Sequence, residues 1–256
     1  MNRIVLCMKW GTLFGADYVN VLHAAVRAHM TGRYRFICLT DDSRGFADGI
    51  EALPLPDVGL SAAEWYTPGV WPKLGLFLAN LHGLEGRALF VDLDMMILDA
   101  LDPFFEVPGG VVVQDMGQGW RRRPRPGPRE AGTCIFAYDI GGQPQIADSF
   151  IANKTDVIQR FINEQDYVGQ MARDLAFWPD GWVVSFKRHV ARRGGIDLLV
   201  PPAAPADARV IAFHGAPRPA DLLRRGIWGD FPHMGRGPIG WMCDYWTRFG
   251  GFFADR

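Results

Sequence analysis

Arg87-Ala-Leu-Phe-Val-Asp-Leu-Asp-Met-Met-Ile-Leu-Asp-Ala-Leu-Asp-Pro-Phe-Phe105 is the stretch that decides the fold. Ala88 to Val91 form a short apolar run, the pattern of a strand buried on both faces in the middle of a parallel sheet. Asp92 and Asp94 follow at once, with Leu93 between them. Alternate residues of an extended backbone point the same way, so both carboxylates face one side. Most Asp-x-Asp triplets are solvated loop carboxylates. Here the buried strand before the pair, and the apolar run Met95 to Leu98 after it, favour a set of hard oxygen ligands for Mg²⁺ or Mn²⁺. The carboxyl ends of the strands are also where open α/β sheets bind ligands. Burying two unpaired carboxylates is costly, so a positive charge is expected against them.

The rest of the chain supports such a sheet. Its 256 residues are 48% hydrophobic, enough for a sizeable core and against global disorder. A net charge of −1 gives no general attraction to nucleic acid or membranes. Cys7, Cys38, Cys134 and Cys243 show no CxxC spacing, and the first three sit in strand-like runs; buried free thiols in a reducing compartment are expected. The chain opens on a strand pattern without a signal-peptide core, and no apolar run approaches the ~18 residues of a membrane span. The expectation is a cytoplasmic protein, with peripheral contact at the inner face of a membrane left open.

Ile4 to Met8 predicts the first strand, Asp17 to His29 a helix stopped by Gly32, and Phe36 to Leu39 the second strand, which ends in Thr40-Asp41-Asp42. This βαβ opening lacks a GxGxxG turn, and the chain lacks GxxxxGK[ST], so neither a dinucleotide fingerprint nor a P-loop is present. A short strand is expected within Gly49 to Leu55. A helix is expected from Pro72 to Leu81, with Lys73 in its first turn. Val111 to Val113, Thr133 to Tyr138, Trp182 to Phe186 and Val210 to Phe213 read as further strands; the third of these delivers Lys187 and Arg188, and the last is followed by His214-Gly215 and Arg218. Ile146 to Phe150 and Val157 to Ile162 read as helical, and Asn163-Glu164-Gln165-Asp166 opens another helix.

Two stretches carry alternative readings. Between residues 117 and 130, Arg121, Arg122, Arg123, Arg125 and Arg129 alternate with Pro124, Pro126 and Pro128, which excludes a regular helix. The stretch is either a solvated loop or a lid whose arginines meet an anion. The aromatic segment 240–256 is either a helix packed on the core or a surface for lipid.

VDLD at 91–94, NEQD at 163–166 and FHGAPRP at 213–219, in this order, resemble a GT-A-fold glycosyltransferase. The nearest pattern is family eight, the group of glycogenin and the bacterial lipopolysaccharide galactosyltransferases. The last piece is similar to that family's HGxxKP motif, with Arg218 in place of lysine. The resemblance implies an α/β fold with a mostly parallel central sheet flanked by helices, forming one domain over residues 1–256. It implies that Asp92, Asp94 and His214 ligate Mn²⁺ or Mg²⁺ and that Leu93, Gly215 and Arg218 belong to the donor-binding site. Lys9, Trp10, Gly11 and Thr12, with Asp41 and Asp42, would hold the base and ribose of a nucleotide-sugar, usually a UDP-sugar. Lys73 would approach the phosphates or sugar, and Lys187 would add a phosphate contact. Glu164 and Gln165 match the family's Asp/Gln pair beside the transferred sugar, with Glu in place of Asp.

The implied activity is metal-dependent transfer, with retention of configuration, to a surface polysaccharide, lipopolysaccharide-type or other lipid-linked glycan. The family's tyrosine–arginine pair before DxD is replaced here by Trp71-Pro72-Lys73. An inverting enzyme would need a carboxylate base, for which Asp166 and Asp139 are the candidates. A nucleotidyltransferase on a similar sheet and a non-catalytic nucleotide- or glycan-binding protein are the alternatives.

Overall fold

The computed structural model describes residues 2–251. Its strands and helices are, in chain order, β1 (Arg3–Lys9), α1 (Ala16–His29), β2 (Arg35–Thr40), β3 (Glu51–Leu53), β4 (Arg87–Val91), β5 (Met96–Ile97), β6 (Val111–Asp115), β7 (Ala131–Asp139), α2 (Pro144–Arg160), α3 (Glu164–Met171), β8 (Leu175–Phe177), β9 (Val183–Ser185), β10 (Val210–Ala212), α4 (Pro219–Leu223), β11 (Gly226–Trp228), β12 (Gly235–Gly237) and α5 (Gly240–Arg248). Seven strands form the central sheet in the order β3-β2-β1-β4-β7-β6-β8. All neighbouring pairs are parallel except β4–β7 and β6–β7.

The apolar runs are explained by burial on both faces. Along β1, Val5 and Cys7 join one core with α1 and α5, while Ile4, Leu6 and Met8 join a second core with α2 and α3. Strand β4 divides likewise, Leu89 and Val91 to the first core and Ala88 and Phe90 to the second. A strand with no solvent face has no polar alternation, which is the pattern the sequence shows.

Strand direction sets the site. Parallel pairing puts the carboxyl ends of β2, β1 and β4 at one edge of the sheet. Because β7 runs against β4 and β6, the β6–β7 connection, residues 116–130, lies at that same edge. Asp139 faces Arg87 at the start of β4, about 13 Å along the strand from Val91. It is therefore at the opposite edge, and its candidacy as a base is withdrawn.

Three local expectations need correction. The segment before β4 is a 3₁₀ helix, Trp71–Phe77, and not an α-helix to Leu81. Pro72 and Gly75 are poor helix formers, and Gly75 sits so close to Pro56 that a Cβ would lie 2.3 Å from its ring. Residues 144–160 form one helix bent at Asn153. The strand before Lys187 is shorter than expected and gives way to one π-helical turn, Phe186–Val190. That turn is wound by Ser185, whose Oγ accepts from the Arg188 N–H and whose own N–H donates to His189 Nδ1. The loop expected after β1 is present, and Trp10 to Thr12 hold a turn in it whose Gly11 has φ +62 and packs under the Tyr66 ring.

Between its alternatives, the aromatic C-terminal segment takes the core one as far as it is described. Met242, Tyr245, Trp246 and Phe249 are buried, and Tyr245 Oη accepts the Ile97 N–H at 2.9 Å. Phe252 and Phe253 lie outside the described residues. Cys7, Cys38 and Cys134 are free thiols; the first two are buried, as expected, and Cys134 only partly so. No described helix is long and apolar enough to cross a membrane.

Candidate functional site

A cavity of about 380 Å³ opens at the carboxyl edge of the sheet. Asp92 and Asp94 line it from the turn after β4, Glu164 and Gln165 from the first turn of α3, His214 and Gly215 from the end of β10, and Lys73 from the 3₁₀ helix. Seven residues singled out in the sequence are thus brought together from four separate parts of the chain.

Lys73 is the centre of this cluster. Its ammonium donates to Asp92 Oδ1 at 3.0 Å and to the Thr133 carbonyl at 2.9 Å, and it lies 3.3 Å from Glu164 Oε1. The Phe90 ring lies 4.7 Å away. Burial alone would lower the lysine's pKa, but Asp92 and Glu164 more than reverse that, so it stays charged. An ammonium has three donors. With hydrogen bonds to Asp92 and Thr133 and an ion pair to Glu164, Lys73 holds carboxylates in place where the sequence reading had it meeting phosphates. Glu164 is fixed from its other side by the Thr133 hydroxyl, and its backbone N–H donates to the Gly69 carbonyl at 2.8 Å. Asn163 caps α3 by accepting the Asp166 N–H, as the sequence predicts.

Asp94 differs from Asp92 in having no basic partner in a salt bridge among the described residues. Burial, followed by the charge of Asp92, pushes it up to about 7. The charges of Lys73 and Arg218 offset only part of this. His214 is pushed down to about 4 by burial and then by Arg188 and Lys187, so its imidazole is neutral at pH 7. Its Nε2 is 2.6 Å from Ser185 Oγ, and the Trp120 ring lies 5.7 Å away, centroid to centroid. Cys134 also lines the cavity; burial and Asp92 push its thiol up to about 12, so it offers no thiolate.

Two carboxylates and a neutral imidazole lining one cavity are a suitable donor set for Mg²⁺ or Mn²⁺, and Asp94, only partly offset by nearby positive charge, fits a cation. As they stand, no three His, Cys, Asp or Glu side chains among the described residues are gathered closely enough to hold a metal.

The remaining predicted residues fall into three places. Hydrogen bonds tie the end of β1 to the end of β2: Lys9 Nζ donates to the Asp42 carbonyl at 3.3 Å and the Gly11 N–H to Asp41 Oδ2 at 3.0 Å. Asp41 and Asp42 line a second cavity, of about 440 Å³, walled by Trp65. Arg218 caps α4 with its guanidinium over the Phe14 ring, Lys187 lies in the π turn, and Leu93 is buried in the core. None of these three lines the main cavity, and neither does Asp166. Sequence reasoning missed Thr133, Ser185 and Trp120. The signal for the first two was a hydroxyl inside an apolar strand.

The sequence matches no protein-family model and no curated protein. Solved structures do match. The galactosyltransferase LgtC, solved with donor and acceptor sugar analogues, superposes with a TM-score of 0.58 at 11% identity, over 98% of this chain and 97% of that one. The chain has a GT-A glycosyltransferase fold. Two other glycosyltransferases share the GT-A likeness. The bifunctional enzyme WbbM matches with a TM-score of 0.56 at 14% identity, over 86% of this chain and 47% of that one. GlyE of Streptococcus pneumoniae TIGR4 matches with a TM-score of 0.53 at 10% identity, over 97% and 63%.

Proposed function

We propose that this chain is a glycosyltransferase that moves a sugar from a nucleoside-diphosphate donor, a UDP-sugar in the leading case, to a glycan or glycolipid acceptor with retention of configuration. The observation that carries this reading is the cavity itself: at the ligand-binding edge of a GT-A sheet, Asp92, Asp94, Glu164, Gln165 and His214 share one wall-to-wall space.

Asp92, Asp94 and His214 would hold a divalent cation, which when bound supplies positive charge for the departing diphosphate. Asp41 and the Gly11 turn would receive the nucleoside at the β1–β2 side. Lys73 positions Asp92 and Glu164 and keeps both carboxylates from drifting apart. Glu164, held by Thr133 and Lys73, presents a fixed negative charge that stabilises a cationic sugar in the transition state. Gln165 reaches the same space and offers an amide dipole. An active-site variant of LgtC exchanging glutamine for glutamate has also been solved, and it superposes with a TM-score of 0.57 at 13% identity; Gln165 is the corresponding residue type in this cavity. Both candidate bases for inversion, Asp166 and Asp139, lie off the cavity. This favours retention, in which the leaving phosphate takes the acceptor proton.

The test is release of nucleoside diphosphate from a panel of UDP-, GDP-, CDP- and ADP-sugars with Mn²⁺ or with EDTA. Release from one donor class, falling at least tenfold on chelation, is expected. Tight binding of a donor with no release in the presence of any acceptor tried would replace this reading with a non-catalytic binding protein.

A further inference from the structure

The arginine-rich connection between β6 and β7 takes no part in the mechanism above. It is also the largest local departure from the chain's near-neutral charge. Residues 117–130 carry five arginines and one acid, Glu130, in a protein of net charge −1. Residues 121–130 are all exposed.

The loop is exposed but firmly rooted. Buried Asp115 ties its two ends together, accepting the Gly117 N–H at 2.9 Å and the Glu130 N–H at 3.2 Å. The Met116 N–H donates to the Glu130 carbonyl at 2.8 Å. Trp120 is sunk into the core, its indole N–H donating to the Val183 carbonyl at 2.8 Å. From that anchor Arg121 emerges directly. Pro124, Pro126 and Pro128 fix φ at alternate positions and limit how far the chain can collapse. Arg188 sits under the same spot, donating to the Met116 carbonyl at 3.0 Å and stacking over Trp120. Burial and then the charge of Arg121 lower the Arg188 pKa, so the two guanidinium groups share one field.

Position tells which ligand this charge can meet. Met116 and Trp120, at the loop's root, form part of the cavity wall. Strand order puts the Asp41 pocket at the β2 end and the arginine loop at the β7–β6 end, with Asp92 and Asp94 between them. Neighbouring strands are about 4.8 Å apart, so the loop stands roughly 10 Å beyond the carboxylates, on the side away from the nucleoside. Given the donor arrangement proposed above, on which this inference rests, that side is open to the acceptor. We propose that the Arg121–Arg129 loop is the recognition surface for an anionic acceptor glycan, one that carries phosphate or carboxylate groups. Guanidinium forks pair with either anion, and several on one tethered loop read charge without demanding one sugar.

The test compares binding of maltotetraose, phosphorylated maltotetraose and tetragalacturonate to the protein loaded with Mn²⁺ and the nucleoside diphosphate that it binds. The comparison is repeated with a variant combining Arg121→Gln, Arg122→Gln, Arg123→Gln and Arg125→Gln. At least tenfold tighter binding of one anionic oligosaccharide than of maltotetraose is expected, and the tighter one identifies the group. The preference should vanish in the variant and shrink in 0.5 M NaCl, roughly as screening of exposed charges requires, while the melting temperature and nucleotide affinity stay unchanged. Equal binding of all three oligosaccharides overturns the proposal. So does a variant that loses nucleotide affinity, which would make the loop a donor lid. Binding to phosphatidylglycerol vesicles without any preference among the oligosaccharides overturns it as well, in favour of membrane contact. Failure of every nucleoside diphosphate to bind is a different result, and it strikes the donor reading itself.

Discussion

Lys73→Met lowers the melting temperature by roughly 6–12 °C, the equivalent of about 3 kcal/mol in a chain of this size. Methionine keeps the length and the apolar stem, so the loss is one of charge, including the ammonium's place over the Phe90 ring. Lys73 is 4% exposed, and it is the cation against which Asp92 and Glu164 are placed. Removing it leaves a buried carboxylate, Glu164, with only the Thr133 hydroxyl, and leaves the Thr133 carbonyl without its side-chain donor. Sugar transfer should fall with stability, because both acids lose their anchor. A thermal melt followed by the nucleotide-release assay at a temperature where both proteins are folded checks this. An unchanged melting temperature would mean that the carboxylates are not held by this lysine.

Asp94→Asn should do the reverse to stability and still abolish function. Asp94 is raised to about 7 by burial and by Asp92. The folded chain therefore keeps its proton where an unfolded carboxyl, at about 4, has released it. Between those values the folded state binds more protons, so the contribution of Asp94 to stability declines as pH rises through that window. The amide carries no charge to bury. At pH 8 without added metal, the variant is expected to be as stable as the wild type or more so, by about 1 kcal/mol. Metal-dependent release of nucleotide should drop by about 100-fold or more. Urea melts at pH 5 and pH 8, with the release assay, separate these two effects. Full activity in Asp94→Asn would remove Asp94 from the cation site.

These two residues also show what the sequence could reveal. The apolar run before Asp92 predicted a doubly buried strand, because a strand without a solvent face leaves no polar residues to confuse the pattern. The pair after it predicted carboxylates at a ligand-binding edge. What no local pattern carried was the ion that meets them. Lys73, Asp92, Glu164 and Thr133 come from four elements, and their contacts exist only once the 3₁₀ helix and α3 are packed on β7. Asp139 failed for a related reason. The direction of β7 is set by its pairing with β4, and a strand reads alike in both directions, so its two ends could not be assigned to edges of the sheet. The short 3₁₀ helix was hidden because apolar spacing outlasts the helix itself; Leu81 is buried from a turn beyond it. The arginine loop was legible as a loop, but its rooting through Asp115 and Trp120 was not.

The most direct measurement is a thermal-shift panel of UDP, GDP, CDP and ADP, each with and without Mn²⁺. A ligand at 100 times its dissociation constant adds about 2.7 kcal/mol, which for this chain is a rise of roughly 5–10 °C. The cavity reading predicts such a rise with one nucleotide only when Mn²⁺ is present, and no rise for the same pair with Asp94→Asn. A flat panel would contradict it, and would leave Asp92 as a structural acid held by Lys73 and Asp94 as a buried acid with no ligand to meet.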